Sequence, residues 1–138
     1  MTDLIRFGIS LEKELSKKFD KRIQRKGYTN RSESIRDLIR QDLVEQAWGE
    51  GGEIAGAITL IYDHHKKELM NKITDIQHDF QKVIISAQHI HLDHDNCLEI
   101  VAVKGDPQAV LKLANMLKVV KGVKHGTLSM SATGKNLT

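Results

Sequence analysis

The sequence predicts an α+β protein in two parts. A short strand–helix–helix module comes first, and a ferredoxin-like βαββαβ domain follows. Three observations predict this. Ile5–Ser10 alternates with period two, and two amphipathic stretches with helical spacing follow it. A joint rich in glycine then interrupts the chain at residues 49–53. Beyond it the hydrophobic period switches in the order strand, helix, strand, strand, helix, strand, the pattern of a split βαβ sandwich.

Composition narrows the setting. The chain has 138 residues, of which 40% are hydrophobic and 28% charged, enough apolar content to bury a core. Cys97 is the single cysteine, so an internal disulfide framework is excluded and a reducing compartment is expected. Apolar runs are only a few residues long, so no membrane-spanning helix is expected. MTDLIRFGIS lacks the pattern of a signal peptide, and the cytoplasm is the expected address. The net charge of +3 resides in residues 1–46, which hold 11 Lys/Arg against 8 Asp/Glu. All six arginines lie at or before Arg40, and all seven histidines at or after His64. Guanidinium groups suit phosphates and base edges, whereas imidazoles suit metals and protons, so the two parts are expected to do different chemistry.

In the first part, Ile5, Phe7 and Ile9 take one face of the strand, and Arg6, Gly8 and Ser10 the other. Leu11, Leu15, Phe19 and Ile23 recur at i+4 and predict a helix stopped by Gly27. Asn30-Arg31-Ser32-Glu33 has capping-box spacing, with Asn30 as N-cap and Glu33 reaching back. Ile35, Leu38, Ile39 and Leu43 then form one face of a second helix. A module this small is marginal alone, and its lone strand has no hairpin partner. Pairing two copies of the strand about a two-fold axis solves both problems. Such a ribbon buries Ile5, Phe7 and Ile9, turns Arg6, Gly8 and Ser10 outward, and fits a DNA major groove.

In the second part, strands are expected at Ala55–Asp63, Val83–Asp93, Asn96–Lys104 and Val123–Ser131. Leu69, Ile73, Ile76 and Phe80 stripe the first helix. Asp106-Pro107 starts the second, which carries Val110, Leu113, Leu117 and Val120 inward and ends near Gly122. Both helices cover one sheet face, leaving the other for a further subunit.

Within this part, His89 and His91 are two apart on a strand and project from one face. The Asp93–Asn96 turn brings Cys97 back beside them. Two imidazoles and a thiolate suit late first-row metals. Three ligands leave a position short. His78 lies two residues beyond Ile76, about 200° around the helix, and so points away from the core stripe. As a ligand it would more naturally serve a neighbouring subunit. His64, His65, His94 and His125 read as solvated or supporting residues, with His94 in the turn close enough for a transient role.

These segments resemble known families. Arg6-Phe7-Gly8-Ile9-Ser10-Leu11, a helix, Gly27-Tyr28-Thr29-Asn30-Arg31-Ser32-Glu33 and a second helix resemble a ribbon-helix-helix DNA-binding domain. Joined to Tyr62-Asp63-His64-His65, Ile76-Gln77-His78 and His89-Ile90-His91-Leu92-Asp93-His94-Asp95-Asn96-Cys97-Leu98-Glu99, they resemble the nickel-responsive transcriptional regulator family over nearly the whole chain. The resemblance implies a ribbon-helix-helix domain at 1–48, a linker at 49–53 and an ACT-like metal-binding and tetramerisation domain at 54–138. It implies a homotetramer, a dimer of dimers, that binds a palindromic double-stranded DNA operator when nickel is bound, and the reading is a repressor. It further implies one square-planar Ni2+ per subunit, held by His89, His91 and Cys97 of one subunit and His78 of another. Arg6, Gly8 and Ser10 match positions that face DNA bases. Gly8 departs from the family's usual hydrogen-bonding side chain there. Glu33 and Asp37 match positions of a secondary cation, and Glu99 a position beside the metal.

Chemistry alone does not select nickel. The affinity order places copper above it, and zinc prefers a tetrahedron from the same donors. A ribbon-helix-helix regulator sensing copper, zinc, cobalt or a small molecule is the alternative. An enzyme with Cys97 as nucleophile is disfavoured, because the sequence offers no glycine-rich loop or oxyanion-hole signature. An antitoxin-like or structural role is disfavoured by the folded pattern of the second part. Amino-acid sensing would leave the His/Cys set unexplained.

Overall fold

A computed structural model describes residues 3–135 and Leu137. The outer bounds of the two expected domains, residues 1 and 138, lie outside the described residues. The described residues divide into two compact units, 3–43 with Leu137, and 44–135.

In the first unit, residues 3–12 carry neither helix nor strand. The alternation at Ile5–Ser10 is that of a strand, but a single chain supplies no ladder partner for it, and its exposed amides and carbonyls are left to solvent. Helix α1 (Lys13–Arg25) follows, with Ile23 buried. Gly27, at φ +83°, ends it in a Schellman motif. The Tyr28 amide donates to the Ile23 carbonyl and the Gly27 amide to that of Gln24, each at 3.0 Å. Helix α2 (Arg31–Glu50) begins where the Glu33 amide donates to Asn30 Oδ1 at 2.9 Å. The other half of the expected capping box does not form, because Arg36, one turn on, pairs with the Glu33 carboxylate. Across the α1–α2 turn, Arg31 grips Asp20 through two hydrogen bonds of 2.8 and 2.7 Å. That contact holds the Asp20 carboxyl below the usual carboxylate range.

The second unit has the ferredoxin-like order expected from the sequence. Its elements are β1 (Ile54–Asp63), α3 (Lys67–Asp79), β2 (Ile84–His91), β3 (Asn96–Gly105), α4 (Pro107–Lys118) and β4 (Val123–Ala132). The strands form one antiparallel sheet in the order β2-β3-β1-β4. One face bears Ile54, Ile58, Leu60, Tyr62, Cys97, Val101 and Val103, all essentially inaccessible. Against it pack Leu69, Ile73 and Ile76 of α3 and Val110, Leu113 and Leu117 of α4. Asp106 caps α4 by accepting the Ala109 amide at 3.1 Å, with Pro107 in the first turn. Trp48 completes this core, and its indole N–H donates to the Ser131 carbonyl at 2.7 Å. Gly56 lets β4 approach, since a Cβ there would stand 2.7 Å from the Ser129 carbonyl oxygen. The other sheet face carries half-buried Ile61, Ile90, Leu98 and Ile100. Among the described residues no helix is long and apolar enough to cross a membrane.

Candidate metal centre and DNA-facing segment

Register determines what meets at the hairpin. Cys97 on β3 pairs with His91 on β2 and with Tyr62 on β1. Glu99, two residues on and therefore on the same face, pairs with His89. The strand period thus places His89, His91, Cys97 and Glu99 together at the edge of the sheet. Cys97 is fully buried, while both imidazoles are exposed. Burial pushes the Cys97 thiol up; a hydrogen bond with Tyr62 works the other way, and the Glu99 and Asp63 carboxylates add to the rise.

Glu99 anchors the floor. Its buried carboxylate accepts the Tyr62 hydroxyl at 2.6 Å and the Gln77 side-chain amide. His89 Nδ1 lies 3.2 Å from the same carboxylate and 3.5 Å from the Tyr62 hydroxyl. The Tyr62 phenol is consequently raised far above its ordinary value, by burial first and then by Glu99. This network ties Gln77 on α3 to His89 on β2. Its neighbour His78 is exposed and lines a groove of about 430 Å³ that also receives His89 and Glu99.

The donors suit a late first-row dication: two imidazoles stand on the face where a thiol is buried beneath them. A dication at that thiol favours its deprotonation, reversing the balance set by burial and acidic neighbours. Among the described residues, no three of His78, His89, His91 and Cys97 have ligand atoms all within 4.8 Å of one another in the single chain. The set that does so is His65, His94 and Asp95. Spacing alone marks those histidines as solvated or supporting residues. The signal that finds them is the pairing of Asp63 with Asn96, which sets the two turns side by side. Imidazole rings run on from there. His65 lies 5.2 Å from His94 and 4.2 Å from His64, which lies 4.5 Å from His91. His64 Nδ1 is buried without a hydrogen-bond partner, and desolvation, then the neighbouring His65 and His91, lower that ring's pKa.

In the first unit, Arg6, Gly8 and Ser10 are all exposed, as are Ile5 at 86%, Phe7 at 70% and Ile9 at 60%. Apolar residues left this open mark a surface that a single chain does not cover. Glu33 and Asp37 are not brought to one another's service. Arg36 takes the first, while the second accepts the Tyr28 hydroxyl at 2.5 Å and meets Arg40 at 3.3 Å.

Comparison with known proteins agrees with both units. Residues 55–131 match the family described as NikR C terminal nickel binding domain, and residues 5–46 the ribbon-helix-helix protein, copG family. A protein of Syntrophus aciditrophicus assigned as a nickel-responsive regulator is 63% identical over 135 residues, covering 98% of each chain. One of Chlorobium limicola with the same assignment is 58% identical over 97% of this chain and its own full length. Another, of Nitratidesulfovibrio vulgaris, is 53% identical over 97% of each. Among solved structures, an uncharacterized protein of Thermotoga maritima shares the fold alone, with a TM-score of 0.52 at 12% identity over 57% of this chain and 98% of that one.

Proposed function

The chain belongs to the nickel-responsive regulator family, and on that premise we propose that it binds a palindromic DNA operator as a homotetramer when nickel is bound. It is a transcriptional regulator and not an enzyme. The reading is of a repressor acting in the cytoplasm. The observation that carries the metal reading is the shared face of His89, His91 and buried Cys97 on the β2–β3 hairpin.

His89, His91 and Cys97 of one subunit would hold the Ni2+, one per subunit, with His78 of another completing the set. The metal supplies a fixed charge and a cross-link between chains. The chain's own residues do the rest. Glu99, held by Tyr62 and Gln77, positions His89 and links the ligand hairpin to the helix carrying His78. The half-buried apolar face of the sheet, with Ile61, Ile90, Leu98 and Ile100, supports assembly of the regulatory cores back to back. In the first unit, two copies of residues 5–10 form the ribbon that covers Phe7. Arg6 and Ser10 then read base edges, while Gly8 contributes only backbone. Glu33 and Asp37 serve a secondary cation only if Arg36, Arg40 and Tyr28 release them.

Metal and DNA must be linked reciprocally: if nickel tightens operator binding, the operator tightens nickel binding by the same factor. Titration of metal-free protein with nickel, copper and zinc, each followed by operator binding, tests the reading. Nickel is expected to give the largest gain in DNA affinity. An equal response to zinc or copper favours the broader reading of a transition-metal sensor, and no response to any of them contradicts both.

A further inference from the structure

Helix α2 carries two apolar stripes. Ile35, Leu38, Ile39 and Leu43 form the first. Val44, Ala47 and Trp48, at i, i+3 and i+4, form the second. At roughly 100° per residue the two are centred roughly 160° apart around the helix, so the second does not continue the first. The division between the two units falls between Leu43 and Val44, which places the second stripe in the second unit. Val44 and Ala47 are half-buried there and Trp48 is 6% exposed, all packed into that unit's core. Glu45, Gln46, Gly49 and Glu50, on the other side of these turns, are exposed. The turn at Gly51 and Gly52, with φ +83° and +93°, comes only afterwards.

The core-facing row of β1 runs Ile54, Gly56, Ile58, Leu60, Tyr62 and lacks a side chain at Gly56. The indole of Trp48 stands at that place, 3.4 Å from where a Cβ on Gly56 would be. Its N–H donates to the Ser131 carbonyl at 2.7 Å, and Ser131 pairs with Ala55. One side chain thus joins the end of α2 to both β1 and β4. The same row of β1 ends at Tyr62, which pairs with Cys97 and gives its hydroxyl to Glu99. From Gly56 to Tyr62 is about 20 Å along the strand. Strand β1 is bonded on both sides, to β3 and β4, so it holds its shape over that length.

We propose that Trp48 is a positioning residue that conveys nickel binding to α2, a role that rests on the nickel-regulated DNA binding proposed above. The element with two states is the last turns of α2, either docked with Trp48 buried or frayed with Trp48 released. Nickel at Cys97 fixes the Tyr62 end of β1 and so favours the docked state at the Gly56 end. A helix that is docked to its last turn is ordered along its length, which includes the stripe that serves the N-terminal unit.

The test uses full-length protein, nickel and a DNA duplex selected by the nickel-loaded wild type from a random-sequence pool. DNA affinity is measured with and without nickel, and the thiolate-to-metal absorption reports the Cys97 centre. Trp48→Ala should keep the absorption and lose about tenfold or more of the nickel-induced gain in affinity. Trp48→Phe, which refills most of the space, should recover most of that gain. Two glycines inserted between Gly51 and Gly52 should leave the gain unchanged, because they lie beyond the docked indole. Hydrogen exchange gives a readout that needs no variant: in the wild type, nickel should slow exchange at the amides of residues 45–50. A Trp48→Ala protein that keeps the full gain overturns the proposal, as do amides at 45–50 that nickel leaves unchanged. A glycine insertion that abolishes the gain also overturns it, by placing the connection in the loop. A wild type whose DNA affinity ignores nickel contradicts the regulator reading itself, which keeps the two failures distinct.

Discussion

The second unit closes its core within one chain, whereas the first does not. In the sheet, every strand has a partner, and residues such as Leu113 and Val101 have no exposure. In the first unit Ile5, Phe7 and Ile9 alternate like strand residues and lie open, and Leu38 and Ile39 on α2 are also about half exposed. Both units carry regular hydrophobic patterns. What differs is where the complementary surface is found. The regulatory unit encodes both sides of its helix–sheet core, and on the proposed reading the N-terminal unit encodes one side and leaves the other to a second copy.

Phe7→Pro should break this contrast most severely. On the proposed pairing it removes a ladder amide and a side chain buried only in the dimer, at a cost of about 3–5 kcal/mol for the phenylalanine alone. Operator binding should collapse while the thiolate-to-nickel absorption of the other unit stays intact. A Phe7→Pro protein that binds its operator normally would show that residues 5–10 do not pair.

Arg6→Ala separates reading from assembly. Operator affinity should fall by about 1–3 kcal/mol and base preference should relax, with subunit association unchanged. Lysine changes on α1 should instead alter the salt slope of DNA binding. Binding assays against operator variants at several salt concentrations distinguish the two effects.

Gly27→Ala touches only the local frame of the first unit. No atom lies within 4 Å of a Cβ placed there, so the penalty is that of the backbone at φ +83°. Chemical denaturation should show a loss of about 1 kcal/mol, confined to the N-terminal transition.

The smallest effect concerns pH. Arg31 depresses the Asp20 carboxyl, so the bond between α1 and the start of α2 is present at neutral pH. Its contribution is lost as pH falls through the folded-state value, below the ordinary carboxylate pKa of about 3.9. Asp20→Asn should therefore flatten the acid limb of the N-terminal transition and lower its stability by a pH-independent amount above about pH 5.

The βαββαβ order was legible because period-two and period-3.6 stretches follow one another with Asp106-Pro107 and the Asp93–Asn96 turn between them. The shared face of His89, His91 and Cys97 was legible for the same reason, since strand alternation fixes it locally. The pairing of Asp63 with Asn96, which joins His65 to His94 and Asp95, was not. It depends on register between strands distant in sequence. Nor did spacing reveal that Arg36 would take Glu33 from its cap, because two local partners compete for one carboxylate. The alternation at Ile5–Ser10 reads as a strand, but in the lone chain residues 3–12 form none, because a ladder partner is not supplied locally.

In the proposed assembly, His78 of a second subunit completes the nickel centre. In the single chain, His78 and His89 line one groove, so a centre within one chain is the concrete alternative. Mixing His78→Ala with Cys97→Ala subunits decides between them, once subunit exchange has been verified by a mass label. A shared centre predicts that mixed oligomers regain thiolate-to-nickel absorption, because one chain supplies His78 and the other the hairpin. Verified exchange with no recovery would contradict the account, since every single-chain centre in the mixture lacks a ligand.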